Sequence, residues 1–113
     1  MDLSIVIPAF NEERNLPGLL SDLGAFLGAR GGAFEIIVVN DASVDGTARV
    51  CEALRQEGVR VINGRRRQGK AFGHNVGVLL ARGDYIVVCD GDTLFAPDAI
   101  TEAVLPIDRK SVV

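Results

Sequence analysis

The sequence has 113 residues, enough for one small domain, and 48% of them are apolar, so we expect a packed core rather than a disordered chain. The formal net charge of −3 argues against a general nucleic-acid or membrane-binding surface. Cys51 and Cys89 lie among apolar residues. We predict that both are reduced core side chains, as expected for a cytoplasmic protein.

Short apolar strands alternate with helical patterns along the chain. The spacing predicts strands over residues 3–7, 34–39, 59–62 and 84–89, and helices over 16–27, from 43 or 45 to 57, over 70–82 and from 97 onward. Ser43 or Asp45 is the predicted cap of the second helix. This order predicts an α/β fold: a Rossmann-like, mainly parallel four-stranded sheet flanked by helices.

Ligands of parallel sheets bind beyond the carboxyl ends of the strands, so the segments that follow the four strands are the candidates for a site. They read PAFNEE (8–13), NDASVDGT (40–47), NGRRRQGK (63–70) and DGDT (90–93). Three of these segments carry acids, and the third carries a basic cluster. The shared edge is therefore predicted to bind a metal ion, a phosphate and a polar ring.

Two carboxylates, Asp90 and Asp92, directly follow the fourth strand and are separated by Gly91. Such a pair can hold a hard divalent cation such as Mg²⁺ or Mn²⁺, which prefers oxygen ligands. Gly91 lets the backbone approach a ligand closely. The alternative is a turn with helix-capping acids.

The third segment, GRRRQGKA, nearly matches a phosphate-binding P-loop, because it follows a strand and opens a helix. However, Ala71 stands where that motif requires a Ser or Thr, so we reject this interpretation. The small residues Gly69, Gly73, Gly77 and Ala81 recur every four positions, which predicts a helix that packs closely on its sheet. His74 is assigned to the surface or to packing.

Three other acids lie at strand tips, and one of them, Asp41, leaves two interpretations open. Asp41 follows the second strand and either accepts a hydrogen bond from a ligand ring or forms a turn. Glu12 and Glu13 are predicted in the first turn of a helix, where the helix dipole favours acids in any protein.

Four consecutive motifs, SIVIPAFNEERNL, EIIVVNDASVDGT, RRQGKAFGHNVGV and GDYIVVCDGDTLFAPDAI, resemble those of family 2 inverting glycosyltransferases with the GT-A fold. That group includes enzymes similar to dolichol-phosphate mannosyltransferase and enzymes of cell-wall synthesis. The resemblance extends from Ser4 to about Ile100. It departs from the family pattern in the third motif. The family usually has Gly directly after the Lys and Ala two residues later, whereas this sequence has Ala71 and Gly73 at those positions.

The resemblance implies a role for each matching residue. Loop residues Pro8, Ala9, Phe10 and Glu12 would hold the base and ribose of a nucleotide, and Asp41 would accept a hydrogen bond from the base. Gly69 and Lys70 would lie beside the diphosphate. Asp90 would lie near the ribose or sugar, with Gly91 between the acids, and Asp92 would bind the Mn²⁺ or Mg²⁺ ion that stabilises the diphosphate leaving group.

The resemblance also implies that residues 1–113 form the nucleotide-sugar donor domain and end before the acceptor-binding half, which supplies the general base. We therefore expect no catalytic base within this chain. The expected function is metal-assisted, inverting glycosyl transfer from a UDP-sugar, with a GDP-sugar as the other candidate. The alternative is a nucleotide-binding module, or an inactive fragment, without turnover.

Further expectations concern partners and location. We expect the fourth strand to have a bare apolar edge and the chain to form a homo-oligomer through that edge. No nucleic-acid partner and no membrane segment are expected. The predicted location is the cytoplasm, including the cytoplasmic face of a membrane.

A phosphatase of the haloacid dehalogenase type also uses a strand-tip Asp-x-Asp motif. In that class the motif follows the first strand, whereas here the first strand ends in PAFNEE and the acids follow the fourth. This position makes the phosphatase the weaker interpretation.

Overall fold

The structure, a computed structural model, describes residues 2–89 and the backbone of residues 111–112. Strands and helices alternate along the chain. The elements are β1 (Leu3–Ala9), α1 (Leu16–Arg30), β2 (Phe34–Asn40), α2 (Thr47–Gln56), β3 (Arg60–Asn63), α3 (Lys70–Leu80), β4 (Tyr85–Val88) and β5 (Ser111–Val112).

The strands form one sheet in the order β3-β2-β1-β4-β5, and every pair is parallel. The predicted α/β class and its four parallel strands are confirmed. The sheet also has a fifth, two-residue strand, which pairs Ser111 with Tyr85 and Val112 with Ile86. The expectation that the edge of β4 is bare is therefore wrong for Tyr85 and Ile86, the half of β4 that pairs with β5.

β1 lies at the centre of the sheet and is buried along its whole length. Its alternating side chains contribute to two cores, because successive residues of a strand point to opposite faces. Leu3, Ile5 and Ile7 belong to the core that includes the apolar stripe of α1. Val6 lies in the second core, beneath α3.

The small residues of α3 face the sheet, as their spacing predicts. A Cβ atom added at Gly77 would lie 2.1 Å from Cγ1 of Val6, and one added at Gly73 would lie 3.1 Å from Cβ of Pro8. A methyl group at Gly77 would therefore collide with the Val6 side chain, and one at Gly73 would make a contact with Pro8 that is tighter than ordinary packing. The stripe therefore serves close packing of the helix on the sheet.

Some helix ends differ from the prediction. α1 continues through Gly28 to Arg30 and stops at Gly31, which has a φ of 79°. α2 begins at Thr47 after the N-cap residue Gly46, so the prediction that Ser43 or Asp45 is the cap is wrong. Asp45 still accepts a hydrogen bond from the N–H of Thr47 over 2.9 Å. The predicted fourth helix lies outside the described residues.

A buried hydrogen-bond network closes the amino-terminal edge of the sheet. Glu35, which is 8% exposed, accepts hydrogen bonds from the Ser4 hydroxyl and the Arg82 N–H, both over 2.6 Å, and from the Arg60 guanidinium over 2.7 Å. The N–H of Gly83 donates to the Ser4 hydroxyl over 2.8 Å. This network ties the segment between α3 and β4 to the three neighbouring strands.

The two cysteines are free thiols. Cys51 is fully buried on α2, and burial raises the pKa of its thiol to about 11. Cys89 is half-buried and packs against the same core. Within the described part of the chain, no helix is long and apolar enough to span a membrane.

Candidate nucleotide-binding edge

Three loops meet at the carboxyl edge of the sheet. They are called here loop 1 (residues 10–15), loop 2 (41–46) and loop 3 (64–69), and each follows one strand. Loops 1 and 2 are joined through Asn11, which has a φ of 54°. Its N–H donates to the Ser43 hydroxyl over 3.0 Å, and its side-chain oxygen accepts from the N–H of Val44 over 2.9 Å.

The last residue of β2 joins loop 2 to β3. The Asn40 side chain donates to the Asn63 side chain over 3.1 Å and accepts from the N–H of Ser43 over 3.2 Å. The main-chain oxygen of Asn40 accepts from the N–H of Gly64 over 2.8 Å. No sequence pattern predicts this role of Asn40, because its partners are known only once the strands are paired.

Asp41 is 6% exposed, and its carboxylate binds the main chain of loop 3. One oxygen accepts from the N–H of Gln68 over 2.8 Å and the other from the N–H of Gly69 over 2.9 Å. The N–H of Asp41 donates to the main-chain oxygen of Ala9 over 2.9 Å. Asp41 is therefore the point at which the first three strand tips are held together.

This arrangement gives a structural reason why GRRRQGKA is not a P-loop. A P-loop wraps a phosphate with the main-chain N–H groups that precede its helix. Two of those groups, at Gln68 and Gly69, already bind the carboxylate of Asp41. A phosphate at this edge must therefore be bound largely by other groups, and the cationic side chains of loop 3 and Lys70 are nearest in sequence.

The ring of Phe10 in loop 1 is half-buried and carries the guanidinium of Arg67 from loop 3 at 4.0 Å from its centroid. A guanidinium over an aromatic face is attracted by the ring quadrupole. The contact brings a flat aromatic ring and a cation together at the same edge. Such a pair suits a ligand that has both a planar ring and negative charge.

A cavity of about 370 Å³ opens beside this edge on the α3 side and is lined by Pro8, Lys70, Ala71, His74 and Val88. His74 lies one helical turn after Lys70, a spacing that places both side chains on one face of α3. His74 was predicted to lie at the surface or in packing, and its i, i+4 spacing from Lys70 is the signal that would have placed it near this cavity.

The other predicted site residues are arranged as follows. Pro8 and Ala9 end β1 and are buried. Glu12 and Glu13 precede α1 rather than lying in its first turn, and the main-chain N–H of Glu12 donates to the Thr47 hydroxyl over 2.8 Å. The first-turn interpretation of these acids is therefore wrong.

Asp90, Gly91 and Asp92 lie outside the described residues. The residue before them is described: the N–H of Cys89 donates to the main-chain oxygen of Val6 over 2.8 Å. β4 therefore stays paired with β1 up to Cys89, which lies at the same edge as loops 1–3. Within residues 2–89, no three His, Cys, Asp or Glu side chains are grouped to hold a metal ion.

A second cavity, of about 640 Å³, lies between α1 and α2 over Phe34 and Ile36. Its lining is mainly apolar and includes no cationic side chain. It therefore lacks the groups that would bind a phosphate, and the carboxyl edge remains the candidate site.

The parallel order β3-β2-β1-β4, with its polar loops at the carboxyl edge, is that of a Rossmann-like nucleotide-binding fold. Comparison with known proteins identifies the family. The model of Glycosyl transferase family 2 matches residues 4–113, and the chain belongs to this family of enzymes.

Relatives and solved structures agree. The chain is 36% identical over 101 residues to the dolichyl-phosphate beta-glucosyltransferase of Drosophila melanogaster, covering 81% of this chain and 31% of that protein. It resembles S. aureus TarS in complex with UDP, with a TM-score of 0.77, 27% identity and coverage of 91% of this chain and 31% of that one.

It also resembles the mannosyltransferase PcManGT from Pyrobaculum calidifontis, solved with GDP-Man and Mn²⁺, with a TM-score of 0.78, 25% identity and coverage of 90% of this chain and 31% of that one. These neighbours are GT-A glycosyltransferases, and the predicted fold is confirmed. The chain spans about a third of the length of the proteins it matches.

Proposed function

We propose that this chain supplies the donor and metal site for inverting transfer of a sugar from a nucleoside diphosphate sugar. The observation that carries the proposal is the convergence of loops 1–3, through Asp41, at the edge where β4 ends, two residues before Asp90 in the sequence. Solved relatives with the same fold hold UDP and GDP-Man. At this edge the aromatic ring matches the base, the cations match the diphosphate, and the acids match the ribose and the metal ion.

The base and ribose would lie over loop 1 and the tip of β2, near Phe10, Glu12 and Asp41. The diphosphate would lie towards Lys70 and the cavity beside it, where the local charge is positive: residues 58–83 include six Arg and Lys residues and no acid. Opposite charge at short range favours a phosphate there.

The proposed metal ligands are Asp92 and, with it, Asp90. Carboxylate oxygens suit Mg²⁺ and Mn²⁺, and the similar PcManGT is solved with Mn²⁺. Bound there, the ion would supply positive charge that stabilises the diphosphate leaving group. The residues of this chain would orient the base, offset the negative charge of the diphosphate and hold the ion.

A UDP-sugar is the donor we propose first, because TarS binds UDP and UDP-GlcNAc. A GDP-sugar is the second candidate, on the strength of PcManGT. For the whole protein we propose a lipid phosphate acceptor, since dolichyl phosphate is named in the curated relatives. The family resemblance assigns the general base to the acceptor-binding half.

The first experiment is a calorimetric titration of the chain with UDP and with GDP, each with and without Mn²⁺. We expect Mn²⁺-dependent binding of one of them, UDP first. Asp92→Asn should abolish the effect of Mn²⁺ and leave the fold intact, and Asp84→Asn, at an exposed position near the opposite edge, is the matched control.

Two results would count against the proposal. Absence of binding to both nucleotides contradicts a donor site within this chain. An Asp92→Asn variant that responds to Mn²⁺ like the wild type contradicts the assigned metal ligand. Binding without sugar transfer, when acceptor and the remaining part of the protein are supplied, would favour the non-catalytic binding module.

Location and assembly are also proposals. The free thiols of Cys51 and Cys89 support a cytoplasmic location. Self-association is proposed through the part of β4 beyond Ile86, the last residue paired with β5. Light scattering at tens of micromolar measures the molar mass, and a monomer there would contradict the homo-oligomer.

A further inference from the structure

We propose that Asp41 is a positioning residue for the diphosphate side of the site, in addition to any contact it makes with the base. The inference rests on the proposed function, because it concerns how that site is organised. Its starting point is that both carboxylate oxygens of Asp41 bind the main chain of loop 3.

The N–H groups that Asp41 binds lie directly before α3. The first N–H groups of a helix have no partner within the helix, and together with the helix dipole they attract an anion. Here the anion is supplied by the protein itself. Asp41 is 6% exposed, so its carboxylate is largely removed from water and depends on these hydrogen bonds.

Gly69 connects this contact to the cationic residues. It has a φ of 94° and a ψ of 166° and is the residue before Lys70, where α3 starts. Glycine adopts this backbone conformation readily, whereas residues with a side chain rarely do, so the loop depends on a glycine at this position and on contacts that keep it there. The hydrogen bond from the Gly69 N–H to Asp41 is such a contact, and it sets the direction in which the helix and Lys70 leave the loop.

Arg67 completes the arrangement. It lies one residue before Gln68, and its guanidinium rests on the ring of Phe10 at 4.0 Å. Loop 3 is thus held at two neighbouring points, by Asp41 and by Phe10. Because the charges of Arg67 and Lys70 flank the anchored N–H groups, loosening the anchor would displace both cations relative to the diphosphate.

The base contact and the positioning role predict different ligand preferences. A contact with the base affects uridine and UMP but not inorganic pyrophosphate, which has no base. A positioning role for the diphosphate side affects pyrophosphate as well. A carboxylate oxygen has two acceptor sites, so the two roles are compatible and are measured separately.

The test variant is Asp41→Asn, which keeps the size of the side chain but turns one acceptor into a donor that faces a main-chain N–H. We expect hydrogen exchange at the Gln68 and Gly69 amides to accelerate by about tenfold or more, as for loss of a charged hydrogen bond. We expect the affinity for pyrophosphate with Mn²⁺ to fall by a similar factor, about tenfold.

Two further variants keep the test independent of a general loss of folding. Asp22→Asn, on the exposed face of α1, is the matched control and should change neither measurement. Gly69→Ala leaves the Asp41 carboxylate intact but strains the backbone at a φ of 94°. It should lower pyrophosphate affinity as Asp41→Asn does, and the double variant should lose little more, because both changes act on one contact.

The outcomes separate this inference from the proposed function. If the wild type binds neither UDP nor pyrophosphate, the donor-site proposal fails, and the diphosphate role of Asp41 fails with it, even where exchange confirms the anchor. If the wild type binds both, and Asp41→Asn weakens uridine but not pyrophosphate, the positioning role alone is overturned. Unchanged exchange at Gln68 and Gly69 also overturns it.

Discussion

The packing of single residues in α3 decides how closely this helix approaches the sheet. Gly77 has no room for a Cβ atom, since one would lie 2.1 Å from Val6. Gly24, on the exposed side of α1, has nothing within 4 Å of the same position. An alanine at position 24 therefore meets no neighbour, whereas an alanine at position 77 collides with Val6.

Gly77→Ala should destabilise the protein by about 1–3 kcal/mol, because the added methyl group overpacks the core against Val6. Gly24→Ala should stabilise it by about 0.5–1 kcal/mol, because alanine favours the helix and meets no neighbour. Urea denaturation of both variants measures the free energy of unfolding. Equal effects of the two substitutions would contradict the packing of α3 on β1.

At this scale the sequence predicted some features and missed others for a physical reason. The i, i+4 spacing of Gly73 and Gly77 is a local property of a helix, and it correctly predicted a bare packing face. The partners of Asp41 are 27 and 28 residues further along the chain. No local pattern encodes that contact, so the turn and ligand interpretations of Asp41 could not be resolved from sequence.

At the scale of elements, side-chain hydrogen bonds hold the start of α2 and the end of α3. Thr47, fully buried at the first position of α2, accepts a hydrogen bond from the N–H of Glu12 over 2.8 Å and donates one to Asp45. The hydrogen bond from the Thr47 hydroxyl lowers the pKa of Asp45 below its ordinary value. One hydroxyl thus links loop 1 to the start of α2.

Thr47→Val should destabilise the protein by about 1–3 kcal/mol, because valine keeps the shape but leaves the N–H of Glu12 without its acceptor. Thr47→Ser keeps the hydroxyl and should lose less. Thermal unfolding of the two variants under identical conditions measures the difference. A valine variant as stable as the serine variant would show that water replaces the hydroxyl.

The end of α3 depends on Glu35. The helix stops at Leu80, whose main-chain oxygen accepts from Arg60 over 2.9 Å, while the N–H of Arg82 turns to Glu35. The sequence prediction carried the helix to residue 82, because the helical pattern does not reveal this competing acceptor. Burial alone would raise the pKa of Glu35, but hydrogen bonds from Ser4, Arg82 and Arg60 outweigh it and lower the pKa below 4.5.

A lowered pKa in the folded protein means that the ionised carboxylate stabilises the fold. This stabilisation is fully present above about pH 4.5, the ordinary value, and is lost as the pH falls through the folded-state pKa. Glu35→Gln should cost about 2 kcal/mol at pH 7. Urea denaturation from pH 7 to pH 3 should show the gap to the wild type narrowing below pH 4.5, and a constant gap would contradict the assignment.

At the scale of the whole molecule, charge is unevenly distributed despite a net charge of only −3. Half of the twelve Arg and Lys residues fall within residues 58–83, where there is no acid. Four of them, Arg65, Arg66, Arg67 and Lys70, lie in or directly after loop 3. Such a local field attracts anions to one edge of the molecule.

Raising the salt concentration from 50 to 500 mM should therefore weaken UDP binding several-fold, because the Debye length shrinks from roughly 14 Å to roughly 4 Å. Uridine binding should change much less, since it has no phosphate. Parallel calorimetric titrations with the two ligands measure the contrast. Equal salt sensitivity would show that the basic cluster is remote from the diphosphate.

The overall fold was predictable because alternating apolar strands and helical stripes are strong periodic signals, as in β1 and α1. β5 was not, because Ser111–Val112 comprises two residues, too few for any periodicity to be detected. The proposed donor-site residues were assigned by motif resemblance. Their mutual contacts required the sheet, which brings loops distant in sequence to one edge.

The central position of β1 has a consequence for synthesis on the ribosome. β1 emerges before the other strands of this sheet, yet it pairs with β4 at residues 85–88 as well as with β2. A nascent chain that has reached β3 has only three of these strands and leaves one side of buried, apolar β1 without β4. Chaperone binding to the nascent chain should therefore be strongest between the emergence of Asn63 and that of Val88, and should decline when β4 covers that side.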